Sequence, residues 1–267
     1  MIHIAITAGG TEEPIDGVRK ITNMSSGSLG WYCLEAVLNL MRELNRTDFQ
    51  IHYIKAPSAI TKSLREEEEA FVNFVKVTNT QSVYDSIEKM MNEEKINVFI
   101  HAMAISDFAY SYSASIDDLA EELHNAFAHK TNISKKEIAE IIKNPQSKHA
   151  GESKISSKKE IVMGFKTTPK VISLIKKKSK DTFLVGFKLI KTEDGDAREK
   201  KMVEEAEKLR ITNQCDAVFA NDASDLSVTN HSGILLHNGE IIARPIGKKN
   251  IAESIVNLAM REILNYN

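Results

Sequence analysis

The chain has 267 residues and a mass of 29.9 kDa, enough to bury a full α/β core in a single domain. A net charge of −2 gives no electrostatic reason to expect nucleic acid or an anionic membrane surface as a partner. No apolar run approaches the ~18 residues of a membrane span, and Met1 leads straight into a strand pattern without a signal peptide, so a soluble, cytoplasmic protein is expected.

Residues 2–8 read as a short buried strand that stops at Gly9-Gly10. A loop with Pro14, Asp16, Gly17 and Arg19 follows, and Ser25-Ser26-Gly27-Ser28 opens a helix. Leu29, Tyr32, Cys33, Ala36, Val37, Leu40, Met41 and Leu44 recur on one face of that helix. A glycine turn before a helix start built from small residues leaves backbone N–H groups uncovered at the positive end of the helix dipole, which suits a phosphate. Gly9, Gly10, Ser26 and Gly27 are the candidate contacts. The pattern is neither G-x-G-x-x-G nor a Walker loop, and the plain alternative is a strand–helix connection capped by Ser25 or Ser26.

The run Ile6-Thr7-Ala8-Gly9-Gly10-Thr11-x-Glu13-Pro14-Ile15-Asp16-x-Val18-Arg19-x-Ile21-x-Asn23-x-Ser25-Ser26-Gly27 resembles the opening of phosphopantothenoylcysteine synthetase, also called phosphopantothenate–cysteine ligase. The agreement extends over about twenty residues, far beyond any short motif. The resemblance implies a monofunctional, bacterial-type form of an enzyme of coenzyme A biosynthesis, in which 4′-phosphopantothenate is joined to cysteine through an acyl-nucleotidylate. CTP is preferred over ATP as the expected co-substrate, with Mg²⁺ as its counter-ion. It also implies a homodimer, and a separate phosphopantothenoylcysteine decarboxylase in the pathway. Asn23 matches the family asparagine assigned to the acyl intermediate, and Arg19 is a candidate substrate contact that could cross between protomers.

Further along, 49–54 alternates as a second strand and Glu66 to Glu69 reads as a solvated charge run. A third strand is expected at 70–77, a helix at 80–94 and a fourth strand at 98–102. Such alternation indicates right-handed crossovers and a largely parallel sheet. The fourth strand runs into His101-Ala102-Met103-Ala104-Ile105-Ser106-Asp107-Phe108, where ligands of open α/β sheets lie. Alone, Asp107 reads as a helix cap or loop residue. This segment is similar to the family's Ala-Ala-x-Ser-Asp-Phe, which implies nucleotide contacts from His101, Ala102, Met103 and Asp107.

Residues 112–150 lie outside the resemblance and carry two helical patterns, Ile116–Ala128 and a capping-box start at Ser134-Lys135-Lys136-Glu137. A helical insertion in one synthetase domain spanning 1–267 is expected, serving as a lid or interface. The lysine-bearing stretch 151–159 is a solvated surface by composition alone. By resemblance, Lys154 is the lysine needed for chemistry, where an ammonium would offset phosphate charge.

Lys166-Thr167-Thr168-Pro169-Lys170-Val171 opens a short helix with proline expected in its first turn. Phe183 to Lys188 is a strand similar to the family's Val-Gly-Phe. The resemblance makes Pro169, Val171 and Phe187 neighbours of the base, although an aromatic on a strand is more often core. A charged helix is expected at 197–210. Family members that use CTP carry two lysines four apart at its end, where Leu209 and Asn213 stand here, flanked by Lys208 and Arg210. Asn238-Gly239 joins two strands of a hairpin, and an amphipathic helix closes the chain. Cys33 and Cys215 suit packing in a reducing compartment, and no metal-ligand spacing is evident.

The fold class is thus α/β, a Rossmann-like, largely parallel sheet with helices on both faces and an antiparallel hairpin extension. Two other functions compete with the ligase. A Rossmann-type oxidoreductase is opposed by the missing glycine fingerprint and by Ile54-Lys55 where an acid should end the second strand. A non-catalytic nucleotide-binding module would bind nucleotide and release no pyrophosphate.

Overall fold

The structure is a computed structural model, and it describes residues 1–128, 132–149, 160–192, 197–225 and 231–264. In chain order the elements are β1 (Ile2–Ala8), β2 (Glu12–Pro14), β3 (Lys20–Thr22), α1 (Ser28–Glu43), β4 (Phe49–Lys55), α2 (Glu66–Glu69), β5 (Val72–Lys76), α3 (Thr80–Glu93), β6 (Val98–His101) and β7 (Phe108–Ser115). Then come α4 (Ile116–Ala128), α5 (Lys135–Lys143), β8 (Ile161–Thr167), α6 (Val171–Lys178), β9 (Phe183–Ile190), α7 (Arg198–Asn213), β10 (Ala217–Asp222), β11 (Gly233–His237), β12 (Glu240–Ala243) and α8 (Lys248–Leu264).

These elements fall into two compact units. The first comprises Met1–Thr11, Asn23–Ile105 and Pro169–Asn267. Its sheet runs β12-β11-β10-β9-β6-β1-β4-β5, parallel from β5 to β10 and closed by the antiparallel β11–β12 hairpin. Counted along the chain, the parallel strands lie third, second, first, fourth, fifth, sixth. That is the doubly wound order, whose direction reverses between β1 and β6.

Alternation along the strands explains why both faces are covered. Ile2, Ile4, Ile6 and Ala8 of β1 join the core packed on α1 and α8. Ala5, on the other face, joins the core under α3, α6 and α7. Both cysteines are buried and unpaired, and burial raises each thiol to about 12. They are packing residues, as composition implied.

The second unit comprises Glu12–Thr22 and Ser106–Thr168. It contains the β2–β3 hairpin, the antiparallel β7–β8 pair and the helices α4 and α5. Ser134 and Glu137 cap α5 reciprocally, as the sequence implies. The excursion is not purely helical at 112–150, however: it begins with a strand at Phe108 and returns through β8. Tyr112 shows why these strands pair as they do, since a Cβ on Gly164 opposite would overlap its ring.

Glu66 to Glu69 is solvated as expected and forms one helical turn, in which Arg65 and Glu68 cap each other and Arg42 pairs with Glu68. One local expectation is corrected. Pro169 precedes α6 rather than occupying its first turn, because the helix is entered at Lys170 and starts at Val171.

Candidate functional site

The strand order reverses between β1 and β6, and beyond the carboxyl ends of such strands open α/β sheets hold their ligands in a crevice. Backbone contacts tie those ends together. The Ala104 N–H donates to the Gly9 carbonyl at 2.9 Å, and the Thr11 N–H donates to the Ala104 carbonyl at 3.1 Å. Beneath them, the Met103 N–H donates to Thr7 Oγ1 at 3.1 Å, and the same hydroxyl shares a hydrogen bond with His101 Nδ1 at 3.0 Å. His101 is buried, and burial alone holds it down at about 4, so the imidazole is neutral.

Close backbone approach explains the glycines. A Cβ on Gly10 would stand 2.2 Å from the Asn23 carbonyl oxygen. Gly27 has φ +67°, and a Cβ there would lie 2.8 Å from the Gly9 nitrogen and 2.9 Å from the Ala59 Cβ. The 23–27 loop, the Gly9-Gly10 turn and the 56–59 loop are therefore pressed into one layer. The Gly10 N–H donates to Ser58 Oγ, and the Ile60 N–H to the Ser26 carbonyl, which holds the third loop in place.

Gly27 is also the residue that enters α1. No side chain caps the helix, and neither Ser25 nor Ser26 plays the capping part the plain alternative gives it. The first amides of α1 carry the positive end of the helix dipole. Lys248 adds a full charge there, with its ammonium donating to Ser28 Oγ at 2.8 Å. Sequence reading missed Lys248. Its only trace was a glycine followed by two lysines at the start of the last helix, 220 positions from Ser28.

The other candidate residues of the first unit divide clearly. Asn23 is half-buried beside Gly10. Ala102 is half-buried, whereas Met103 and Val171 are core residues. Phe187 is half-buried against Phe219, with ring centroids 5.9 Å apart. At the end of α7, Lys208 is paired with Glu205 and Arg210 with Glu207, while Asn213 donates to the Leu209 carbonyl. In the second unit, Arg19 is clamped by Asp16, with Nη2 2.6 Å and Nε 3.0 Å from Oδ2. That clamp, aided by the Val18 N–H, lowers the Asp16 carboxyl to about 2. Asp107 is exposed, and its carbonyl accepts from the Thr168 N–H. Lys154 lies outside the described residues.

Among the described residues, no trio of metal-ligating side chains converges at the glycine turn. No helix of the described residues is long and apolar enough to cross a membrane.

The family model of the DNA/pantothenate metabolism flavoprotein C-terminal domain matches residues 1–144 and 119–263. The chain belongs to this family. Curated relatives include the coenzyme A biosynthesis bifunctional protein CoaBC of Thermococcus kodakarensis, 25% identical over 70% of this chain and 34% of that protein. CoaBC of Borreliella burgdorferi is 29% identical over 61% of this chain and 35% of its own length. The chain thus spans about a third of the curated relatives it matches. Among solved structures, the DNA/pantothenate metabolism flavoprotein of Streptococcus pneumoniae is 28% identical with a TM-score of 0.75, covering 98% of this chain and 100% of that one. A Cab2 mutant in complex with phosphopantothenate-cysteine shares the fold at 14% identity and a TM-score of 0.67, covering 99% of this chain and 87% of that one.

Proposed function

We propose that this member of the family is a phosphopantothenate–cysteine ligase acting in coenzyme A biosynthesis. The observation that carries the reading is the uncapped start of α1, set in the glycine-packed crevice and charged by Lys248. An anionic phosphate chain fits that combination, and family membership supports the rest.

A carboxylate does not acylate an amine at neutral pH until one of its oxygens becomes a leaving group. In the proposed reaction the phosphopantothenate carboxylate attacks the α-phosphorus of a nucleoside triphosphate. The bond to the bridging oxygen breaks, and pyrophosphate leaves. The amine of cysteine then attacks the acyl carbonyl of the resulting acyl-nucleotidylate, loses a proton, and expels the nucleoside monophosphate. The amides of α1 and the Lys248 ammonium would neutralise phosphate charge, worth more in a crevice than in open water. Asn23, held against Gly10, would donate its side-chain amide to the acyl intermediate without offering a competing nucleophile. Arg19, fixed by Asp16, is the proposed substrate contact, and Lys154 the proposed mobile ammonium. Mg²⁺ would enter with the triphosphate. CTP in preference to ATP, a cytoplasmic homodimer and a separate decarboxylase complete the proposal.

The two other functions are weaker. β4 ends at Ile54-Lys55, and Lys55 bonds Thr61, so the ribose-holding acid of a dinucleotide oxidoreductase is missing from its usual place. A non-catalytic module has no use for an asparagine held beside the crevice. The deciding experiment supplies purified protein with phosphopantothenate, cysteine and each triphosphate in turn. Pyrophosphate release that requires both substrates, with the matching monophosphate as product, is expected. Release that needs neither substrate, or none at all, would overturn the ligase.

A further inference from the structure

A second cluster, with no part in the proposed ligase chemistry, lies at the opposite end of β1 from the glycine turn. His3 is the second residue of β1, and His52 is on neighbouring β4. In the parallel register Ala5 faces His52 and Gln50 faces His3, so the two histidines are diagonal neighbours on the face that α3 covers. Their rings stack, with centroids 5.6 Å apart and planes 17° from parallel. Glu94, the C-cap residue that follows α3, brings its carboxylate to both.

Three donor atoms converge there. Glu94 Oε2 is 2.7 Å from His3 Nδ1 and 2.8 Å from His52 Nε2, and the two ring nitrogens are 3.3 Å apart. Oε2 is itself buried, lying between the two ring nitrogens. Ligand atoms about 2.0–2.1 Å from a tetrahedral ion lie roughly 3.3 Å from each other. The nitrogen–nitrogen edge already has that length, and the two nitrogen–oxygen edges need open by only about half an ångström. His52 is 4% exposed, whereas Glu94 borders a surface cavity of about 560 Å³ with Asn92, Lys95 and Asp181. One side is therefore fixed by packing, and the other admits an ion and a water ligand.

We propose that His3, His52 and Glu94 form a binding site for one divalent first-row transition ion, zinc foremost, that clips β1, β4 and the end of α3 together. Two imidazoles and one carboxylate are a borderline-soft set that suits zinc, cobalt or nickel and disfavours magnesium or calcium. The site lies apart from the glycine crevice, so it stands whether or not the chain is a ligase.

The test uses untagged full-length protein stripped with chelator and titrated with Co²⁺, followed by displacement with Zn²⁺. Expected are one ion per chain, visible d–d absorption of a low-coordinate site, and a melting temperature that Zn²⁺ raises by several degrees. Glu94→Gln and His3→Asn should each weaken binding at least about tenfold and abolish the zinc-dependent rise. His124→Gln, which removes an exposed imidazole elsewhere, should change neither. Circular dichroism of each variant keeps folding separate from binding. If wild type shows no saturable one-to-one binding, or Glu94→Gln lowers stability while binding Co²⁺ as tightly as wild type, the three side chains are a proton-sharing structural cluster and the metal site is overturned.

Discussion

Gly10 and Asn23 meet backbone to backbone, so closely that a single methyl on the glycine would fall 2.2 Å from the asparagine carbonyl oxygen. The contact couples the end of the first strand to the residue proposed to hold the acyl group. Gly10→Ala should therefore cost about 2 kcal/mol of stability by overpacking and should displace Asn23. Urea unfolding and pyrophosphate release would both register it. Gly17→Ala, where nothing lies within 4 Å of the added carbon, should leave stability within about 0.5 kcal/mol. Equal effects from the two would show that the contact carries no constraint.

Asn23→Asp replaces a neutral donor with a carboxylate of nearly the same shape. Turnover should fall by roughly 10²-fold or more, as when an oxyanion donor is removed, with the thermal transition unchanged. Lys154→Gln should act in the same direction through loss of its ammonium. Steady-state kinetics with each triphosphate decides, and a variant that kept the wild-type rate would lose its assigned role.

Lys248→Met removes the charge beside Ser28 and keeps most of the apolar stem. KM for the triphosphate should rise about tenfold, equivalent to about 1.4 kcal/mol for one lost charge-assisted contact between ammonium and phosphate. Lys248→Arg should restore part of it. KM for cysteine is expected to stay put, and an equal rise in both constants would point to general damage.

The neutral His101 makes stability depend on pH. Its folded pKa is about 4 against 6.5 for a free imidazole. Between those values the unfolded chain binds a proton that the folded chain refuses, so stability falls as pH drops from 6.5 to 4 and is unaffected by this group above 6.5. The full shift is worth about 3 kcal/mol. His101→Gln should flatten the slope in that window, measured by urea unfolding at stepped pH. An unchanged slope would mean that other groups carry it.

Much of the first unit is legible in the sequence because its signals are local. Apolar runs ended by glycine mark the buried strands, and in the second unit α4 likewise matches its periodicity from Ile116 to Ala128. The Asn-Gly turn between β11 and β12 announces the hairpin, with Asn238 at φ 52° and Gly239 at φ 84°. The three-residue strands β2 and β3 escape because so few side chains carry no period. The entry to α6 is not legible, because a proline at the first helical position and one just before the cap leave similar sequence traces. At the site, the glycine layer was visible as composition, yet its cause was not: which backbone stands 2.2 Å away is a property of the fold. Lys248 and the His3–His52–Glu94 cluster were invisible for the same reason, since neither shows a ligand spacing along the chain.

The hairpin that bears Arg19 leaves the first unit after Thr11 and rejoins it at Asn23, and both anchor points are fixed by Ala104 and Gly10. The entropy of bringing its ends together is thus already spent, and extra length at the Gly17-Val18 tip adds only slowly to it, roughly 0.6 kcal/mol for a doubling. Chain-length variation should accordingly be tolerated at that tip. One residue inserted between Gly9 and Gly10 would instead throw the whole crevice out of register.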